Sequence, residues 1–380
     1  MRRFLAGWVA LLGLMSFLII PPSHAQPIPT QRPTVILFLA DGMGVNHTQA
    51  ASYYLSGQPE ALTFQAFPYQ TTINTNTAEG EVTDSAASAT AMATGQKVSR
   101  GVISRRIPGD EAALPTVLEM RRADGWRTGL VTTSFLTDAS PAAFAAHAAN
   151  RIDYTQIATD YLYHTRPDLL LGGGGNGLTT AQTTAAGYIS FDQRDGMWAA
   201  VSYSPGARLA GLFGEGHMPQ HPDELSAKNW PRLAEMTSAA LSHLSYGDQP
   251  FFLFVEQQAT DAQSHANNLQ GVVWGVIDLN DAVEVALRWA EGRDDVLILV
   301  VSDHECGELD LLGAGQAGQL PAVRWGSMSH SARPVRLYAW GATGWLLNRR
   351  VVENSDVFGV LDFDPAVLTE HAFLPLAIRP

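Results

Sequence analysis

The sequence predicts an α/β fold, a three-layer sandwich with a large, mostly parallel central sheet and helices on both faces. Two observations carry that expectation. Short apolar runs rich in Val, Ile, Leu and Phe recur along the chain, and stretches with helical periodicity lie between them. Runs that are apolar throughout, rather than alternating, suit strands buried on both faces, as in a parallel sheet covered by helices.

The elements follow in order. "TVILFLA" (34–40) reads as the first strand. "EVTDSAASATAMATGQK" (81–97) reads as a small-residue helix that Asp84 caps and Gly95 closes. "ALPTVLEMRRA" (113–123) is helix-like and precedes a strand at "TGLVTT" (128–133). Further strands are read at "DLLLGG" (168–173), "LAGLF" (209–213) and "FFLFVE" (251–256). "LNDAVEVALRWAEG" (279–292) is a helix, and "VLILVVS" (296–302) and "VRLYAW" (335–340) are the last strands. "GGGGNG" (172–177) lacks the Lys and Ser/Thr that complete a phosphate-binding loop. It reads as a flexible loop within a long insertion between Arg151 and Phe251.

The first 25 residues have the pattern of an export signal: Arg2 and Arg3, the uncharged apolar core Phe4–Ile20, then "PPSHA". The core is short for a membrane span, which takes about 20 residues, so an N-terminal anchor is the lesser alternative. Residues 26–380 are then expected to form a single catalytic domain, exported to a periplasmic, secreted or cell-surface location and entered through a lead-in at 26–33. The formal net charge is -13, which argues against a nucleic-acid partner. The lone Cys306 can form no internal disulfide; a small buried thiol is expected there.

In open parallel sheets, ligands gather beyond the carboxyl ends of the strands. Asp41 follows the first run. Asp138 and Ser140 follow "GLVTTS", and Glu256 ends "FFLFVE", with Asp261 and His265 soon after. Asp303 and His304 follow "VLILVVS", and His330 precedes the last run. Taken singly, each has an ordinary reading as a turn, a cap or a solvated side chain. Taken together, carboxylates crowded on one sheet edge repel unless cations sit among them. Mixed Asp and His ligands suit zinc, and an oxygen set of Asp, Glu and Ser suits magnesium.

The ordered motifs "LADGMG", "TDSAASATAMATGQK", "TDASPAAFAAHAANR", "FVEQQATDAQSHANN", "VSDHE" and "SHSARPVRLYAWG" resemble the alkaline phosphatases, metal-dependent phosphomonoesterases, from about Thr34 to Gly341. The chain looks like a compact bacterial type without a crown insertion. The resemblance implies two zinc ions and one magnesium ion. Asp41, Asp303 and His304 would hold one zinc; Asp261, His265 and His330 would hold the other. Asp41, Ser140 and Glu256 would hold the magnesium, with Asp138 acting through water. Ser85 would be the nucleophile that becomes a phosphoserine, and Arg151 would grip the substrate phosphate. Small phosphate monoesters would be the substrates and inorganic phosphate the product. A homodimer is left open, since relatives commonly pair.

The chain departs from the family at Ala262, where many relatives carry Lys or His. That change implies weaker phosphate retention and a larger role for magnesium at Asp138. The segment from His304 to His330 is too short for a cap, so an open site is expected. His47, His147, His217 and His221 are read as ordinary core or surface histidines, with His147 in the helix leading to Arg151. A phosphodiesterase or sulfatase of the same fold, and a non-catalytic exported phosphate- or metal-binding protein, are the competing readings.

Overall fold

The computed structural model describes residues 33–363, apart from 248 and 350. The leader at 1–25 and nearly all of the lead-in after it lie outside the described residues. In chain order the strands are β1 (Thr34–Ala40), β2 (Tyr69–Ile73), β3 (Arg127–Phe135), β4 (Leu169–Gly174), β5 (Ile189–Phe191), β6 (Leu209–Glu215), β7 (Phe251–Gln257) and β8 (Val296–Ser302). Four two-residue strands follow, β9 (Glu305–Cys306), β10 (Asp310–Leu311), β11 (Val323–Arg324) and β12 (His330–Ser331), then β13 (Val335–Gly341). The helices are α1 (Val45–Ser56), α2 (Ser85–Thr94), α3 (Val117–Ala123), α4 (Ala139–Ala145), α5 (Tyr154–Thr159) and α6 (Thr180–Ala185). The second half holds α7 (Arg194–Tyr203), α8 (Pro222–Ala227), α9 (Leu233–Leu244), α10 (Ala259–His265), α11 (Leu269–Ala290) and α12 (Asp356–Asp362).

Nine strands form one sheet in the order β2-β13-β8-β1-β7-β3-β4-β6-β5. β13 pairs antiparallel with both neighbours, and the other pairings are parallel. The mostly parallel expectation therefore holds, and each strand run read from the sequence is a strand. β2 and β5 were not among them: both are short, and in β2 three polar residues run in succession while half-buried and exposed positions alternate, as befits an edge.

The apolar runs feed two cores because successive side chains point to opposite faces. Val35, Leu37 and Leu39 of β1 pack under α2, α3, α4 and α12, beside residues such as Ala89, Leu118, Phe144 and Val360. Ile36, Phe38 and Ala40 pack on the other face against α1, α9 and α11, beside Ala50, Met236 and Val276. At about 25 cal/mol per Å² of apolar area removed from water, these two layers are the main favourable contribution to folding. No helix among the described residues is long and apolar enough to cross a membrane.

Three expectations need correction. Residues 172–174 of "GGGGNG" are not a flexible loop: they end β4, with Leu136 donating to the Gly173 carbonyl and Gly216 to that of Gly174. Glycine is required by close approach, since a Cβ on Gly173 would lie 1.9 Å from the Gly216 carbonyl oxygen. Nor is the 152–250 stretch an insertion into the domain, because β4, β5 and β6 within it build one end of the sheet. His147 lies beyond the end of α4, not in it, and is only half-buried. Its Nε2 sits 3.0 Å from Glu119 Oε1 and its Nδ1 2.8 Å from the Ser104 carbonyl.

Gly173→Ala should cost about 3 kcal/mol in denaturant unfolding; a mobile loop residue would change stability by less than about 0.5 kcal/mol. The His147–Glu119 pair should give a pH signature. Burial pulls the imidazole pKa down, but the Glu119 hydrogen bond and charge outweigh it and leave it raised above 6.5. That contribution is complete below 6.5 and is lost as pH rises through the folded value. Burial pushes Glu119 up, but His147 and the Thr116 N–H outweigh it and leave it below 4.5, so its contribution is lost in acid. Glu119→Gln retains an acceptor for the Thr116 N–H. It should destabilise by ~1 kcal/mol or less between those values and by less at pH 8, as read from unfolding midpoints against pH.

Candidate active site

The sheet order explains why distant residues meet. β8, β1, β7 and β3 are adjacent and parallel, so their carboxyl ends form one edge. Asp303 follows β8, Asp41 follows β1, Glu256 lies in β7 and Asp138 caps α4 just beyond β3. Register aligns them: Leu39 pairs with Glu256, which also pairs with Thr132, and Ala40 pairs with Ser302. Gly42 makes the tight turn after β1 with φ +72°. A Cβ there would come within 2.8 Å of the Asp261 Cα, so the turn and the approach of α10 both require glycine.

α2 brings Ser85 to this edge. Asp84 is its N-cap, with its side chain accepting from the Ala87 N–H, and Gly95 ends the helix in the left-handed conformation. Every residue from Ser85 to Thr94 is buried, so small side chains are needed where α2 packs on α4 and α12. The Ser88 hydroxyl donates to the Asp303 carbonyl at 2.6 Å and locks the helix to the sheet edge. Ser85 Oγ then lies 3.5 Å from Asp41 Oδ1 and 3.4 Å from His304 Nε2.

Two sets of side chains could each hold a metal ion. One is Asp41, Asp303 and His304; the other is Asp261, His265, Cys306 and His330. Within each set the ligand atoms lie within 4.8 Å of one another. The sets adjoin, since the His304 and His330 rings stack with centroids 3.6 Å apart. Gly42 and His304 donate backbone N–H groups to Asp303 Oδ1, leaving Oδ2 buried without a hydrogen-bond partner. Asp261 Oδ1 is likewise buried, and its nearest ring nitrogen is His330 Nε2 at 3.4 Å. His265 Nε2 faces His330 Nε2 at 3.2 Å, while the Nδ1 atoms rest on the carbonyls of Met328 and Thr83. Orphaned carboxylate oxygens and converging ring nitrogens, with the far nitrogens held by carbonyls, are the arrangement a cation requires. The donor sets fit metal ions.

Electrostatics point the same way. Burial raises the Asp41 pKa far above the usual carboxylate range, and Asp303, Asp261, Glu256 and Asp138 add to the rise. Glu256 is pushed to about 8, by burial and then by Asp138, against hydrogen bonds from Thr132 and Ser140. Burial also penalises Asp261, but hydrogen bonds from His265 and His330 outweigh it and hold that carboxyl well below its ordinary range. His265 is raised to about 9, chiefly by its hydrogen bond to Asp261. In the second set His265 and His330 favour the charged Asp261 carboxylate, a compensation that Asp41 in the first set lacks.

Arg151 closes the site on the side of Asp84. After α4 the chain pairs Ala148 with Ile103, and Arg151 donates its backbone N–H to the Gly101 carbonyl. That turns the guanidinium back, with Nη1 3.2 Å from Asp84 Oδ2 and Nη2 3.1 Å from Asp138 Oδ1.

The eleven side chains singled out from the sequence thus converge on one edge, Ser140 through its hydrogen bond to Glu256. Sequence reasoning missed their supports. Thr132 Oγ1 donates to Glu256 at 2.5 Å, and Ser134 Oγ donates to Asp138 at 2.6 Å. His217, taken as an ordinary histidine, has its Nδ1 2.9 Å from Ser134 Oγ. Hydroxyls at alternate positions of "TTS" at the strand end were the available signal; nothing local marks His217. Cys306 is a buried thiol as expected, its pKa raised first by burial. Its neighbours are Asp261, His265 and His330 rather than the set containing His304.

Comparison with known proteins agrees with this geometry. Residues 33–199 and 173–319 match the family model described as alkaline phosphatase. The chain is 33% identical to alkaline phosphatase 3 of Bacillus subtilis over 72% of its own length and 61% of that protein's. It is 32% identical to the alkaline phosphatase of Escherichia coli over 71% of its length and 69% of that protein's. The crystal structure of a cold-active alkaline phosphatase from Shewanella sp. superposes with a TM-score of 0.77. The identity is 25%, over 87% of this chain and 99% of that one. The alkaline phosphatase of the Antarctic bacterium TAB5 gives a TM-score of 0.75 at 27% identity, over 89% and 99%.

The two ligand sets should load separately. Metal analysis after dialysis against zinc should show one equivalent fewer for Asp261→Ala and one fewer for His304→Ala than for the unaltered chain. Zinc at about 100 times its dissociation constant should also stabilise the fold by about 2.7 kcal/mol per site, read as a rise in the thermal midpoint.

Proposed function

The chain belongs to the alkaline phosphatase family, and we propose that it hydrolyses phosphate monoesters through a phosphoserine on Ser85, releasing inorganic phosphate. The observation that carries this reading is the position of Ser85 at the N-terminus of α2, against Asp41 and His304 and within the same edge as Arg151.

In this reading Asp41, Asp303 and His304 hold one zinc, Asp261, His265 and His330 hold a second, and Asp41, Ser140, Glu256 and Asp138 serve a magnesium. When bound, these cations offset the crowded carboxylates, make the Ser85 proton easier to lose and offset the charge that builds on the phosphoryl and leaving oxygens. The other work falls to the chain. The first backbone N–H groups of α2 and its positive dipole end face the phosphoryl group. Arg151 presents two N–H groups, now on Asp84 and Asp138, to two phosphoryl oxygens as a planar fork. Ser85 Oγ attacks phosphorus in line, the ester oxygen departs on the far side, and water then displaces Ser85 from the phosphoserine. Catalysis is mainly placement and charge complementarity. A terminal phosphoryl group leaves free the oxygens that such a fork needs, which favours monoesters over diesters and sulfate esters. Export through residues 1–25 belongs to the same reading.

Nitrophenyl phosphate should be cleaved far faster than its bis-ester, and chelation should abolish turnover until zinc and magnesium are restored. Ser85→Ala should lose at least ~10³-fold in kcat and retain phosphate binding by calorimetry. Arg151→Ala should lose ~10²–10³-fold in kcat/KM. Acid quenching during turnover should trap phosphate on the peptide containing Ser85. Faster cleavage of the bis-ester, or full activity in Ser85→Ala, would overturn the proposal.

A further inference from the structure

We propose that a cavity beside Ala262 is a subsite for a polyhydroxylated leaving group, the sugar portion of a sugar phosphate; this rests on the phosphomonoesterase reading. The cavity is an open one of about 420 Å³, and His217, Glu224, Gln258, Ala262, Gln263 and Trp274 are among the residues that line it. That volume lies in the range of small-molecule sites.

Its position follows from the fold. Ala262 is the residue after Asp261, and Gln258 is the N-cap of α10, the helix that carries Asp261 and His265. On the opposite wall, Met218 donates its N–H to the Thr133 carbonyl at 2.8 Å. That bond fastens the loop between β6 and α8 to the end of β3 and sets His217 on Ser134, which holds Asp138. The cavity therefore shares both walls with the catalytic edge. It also adjoins the Asp261 set, rather than the Asp41 set that Ser85 touches. In-line attack by Ser85 expels the leaving group away from Ser85. At position 262, which lines this space, the side chain is only a methyl group.

The lining specifies the chemistry. Side-chain amides both donate and accept, matching hydroxyl groups that do the same. Asn268 donates to Gln263 Oε1 at 2.7 Å and fixes that amide at the cavity wall. Gln258 and Trp274 both line the cavity, and the Gln258 side chain makes no capping hydrogen bond to α10. The Trp274 ring is held edge-on by His221 at 5.0 Å between centroids, offering a rigid apolar face for the C–H side of a sugar ring. No Lys or Arg lines the cavity and Glu224 does, which disfavours a leaving group bearing further phosphates.

The test uses the full chain loaded with zinc and magnesium. Values of kcat/KM are measured for glucose 6-phosphate, ethyl phosphate and nitrophenyl phosphate with the unaltered chain, Trp274→Ala and Gln263→Ala. Glucose 6-phosphate should exceed ethyl phosphate by ~10-fold or more, a modest differential binding energy. Each variant should erase most of that preference and leave ethyl and nitrophenyl phosphate within about twofold. Equal values for glucose 6-phosphate and ethyl phosphate, or losses shared by every ester, overturn the subsite while leaving the phosphomonoesterase reading intact. If no ester is cleaved, the phosphomonoesterase reading falls and calorimetry decides the cavity. Tighter binding of glucose 6-phosphate than of inorganic phosphate, weakened by Trp274→Ala, supports it; equal binding overturns it.

Discussion

Asp41 is buried among the carboxylates of Asp303, Asp261, Glu256 and Asp138, and the rest of the structure is organised around that crowding. A cluster of this kind is unstable alone, because burial disfavours each charge and neighbours disfavour one another. In the second set Asp261 is compensated by His265 and His330. At Asp84 and Asp138 the compensation is Arg151. Around Asp41 and Glu256 no side-chain cation among the described residues does the same, and that is where Asp303 Oδ2 and the nucleophile candidate lie. In the proposed function, cation binding and catalysis draw on one electrostatic deficit.

The scaffold makes the cluster tolerable by rigidity. β8, β1, β7 and β3 are buried on both faces, so their register cannot slip without moving apolar residues across layers. The small residues of α2 let a helix terminus approach the sheet edge, and Ser88 ties it there. Close approaches at Gly42 and Gly173 serve the same end. One admits α10 to the edge, and the other lets β4 meet the loop after β6. Positional precision at the site is thus paid for by dense packing behind it.

The long stretch between Arg151 and Phe251 connects these ideas. Its strands extend the sheet, and its loop after β6 places His217 behind Ser134 and Asp138. The same loop forms one wall of the cavity beside Ala262. A stretch that reads as an insertion is thereby both a structural edge and the boundary of the site.

The sequence by itself determined seven of the nine strand positions in the sheet, its mostly parallel character and the residues at its carboxyl edge. Buried strands must be apolar throughout, and Asp41, Asp303 and Glu256 stand out at the ends of such runs because charge is costly there. Motif order extended that reading to Ser85, Arg151, His265 and His330. Tertiary structure alone decided which carboxylates are compensated, that Cys306 joins the Asp261 set, and that Thr132, Ser134 and His217 support Glu256 and Asp138. It also decided that Gly172–Gly174 are strand rather than loop. Periodicity and residue type report burial along one segment. Contacts between segments more than 80 residues apart, such as Ser134 with His217, depend on sheet order and register, which local patterns do not encode.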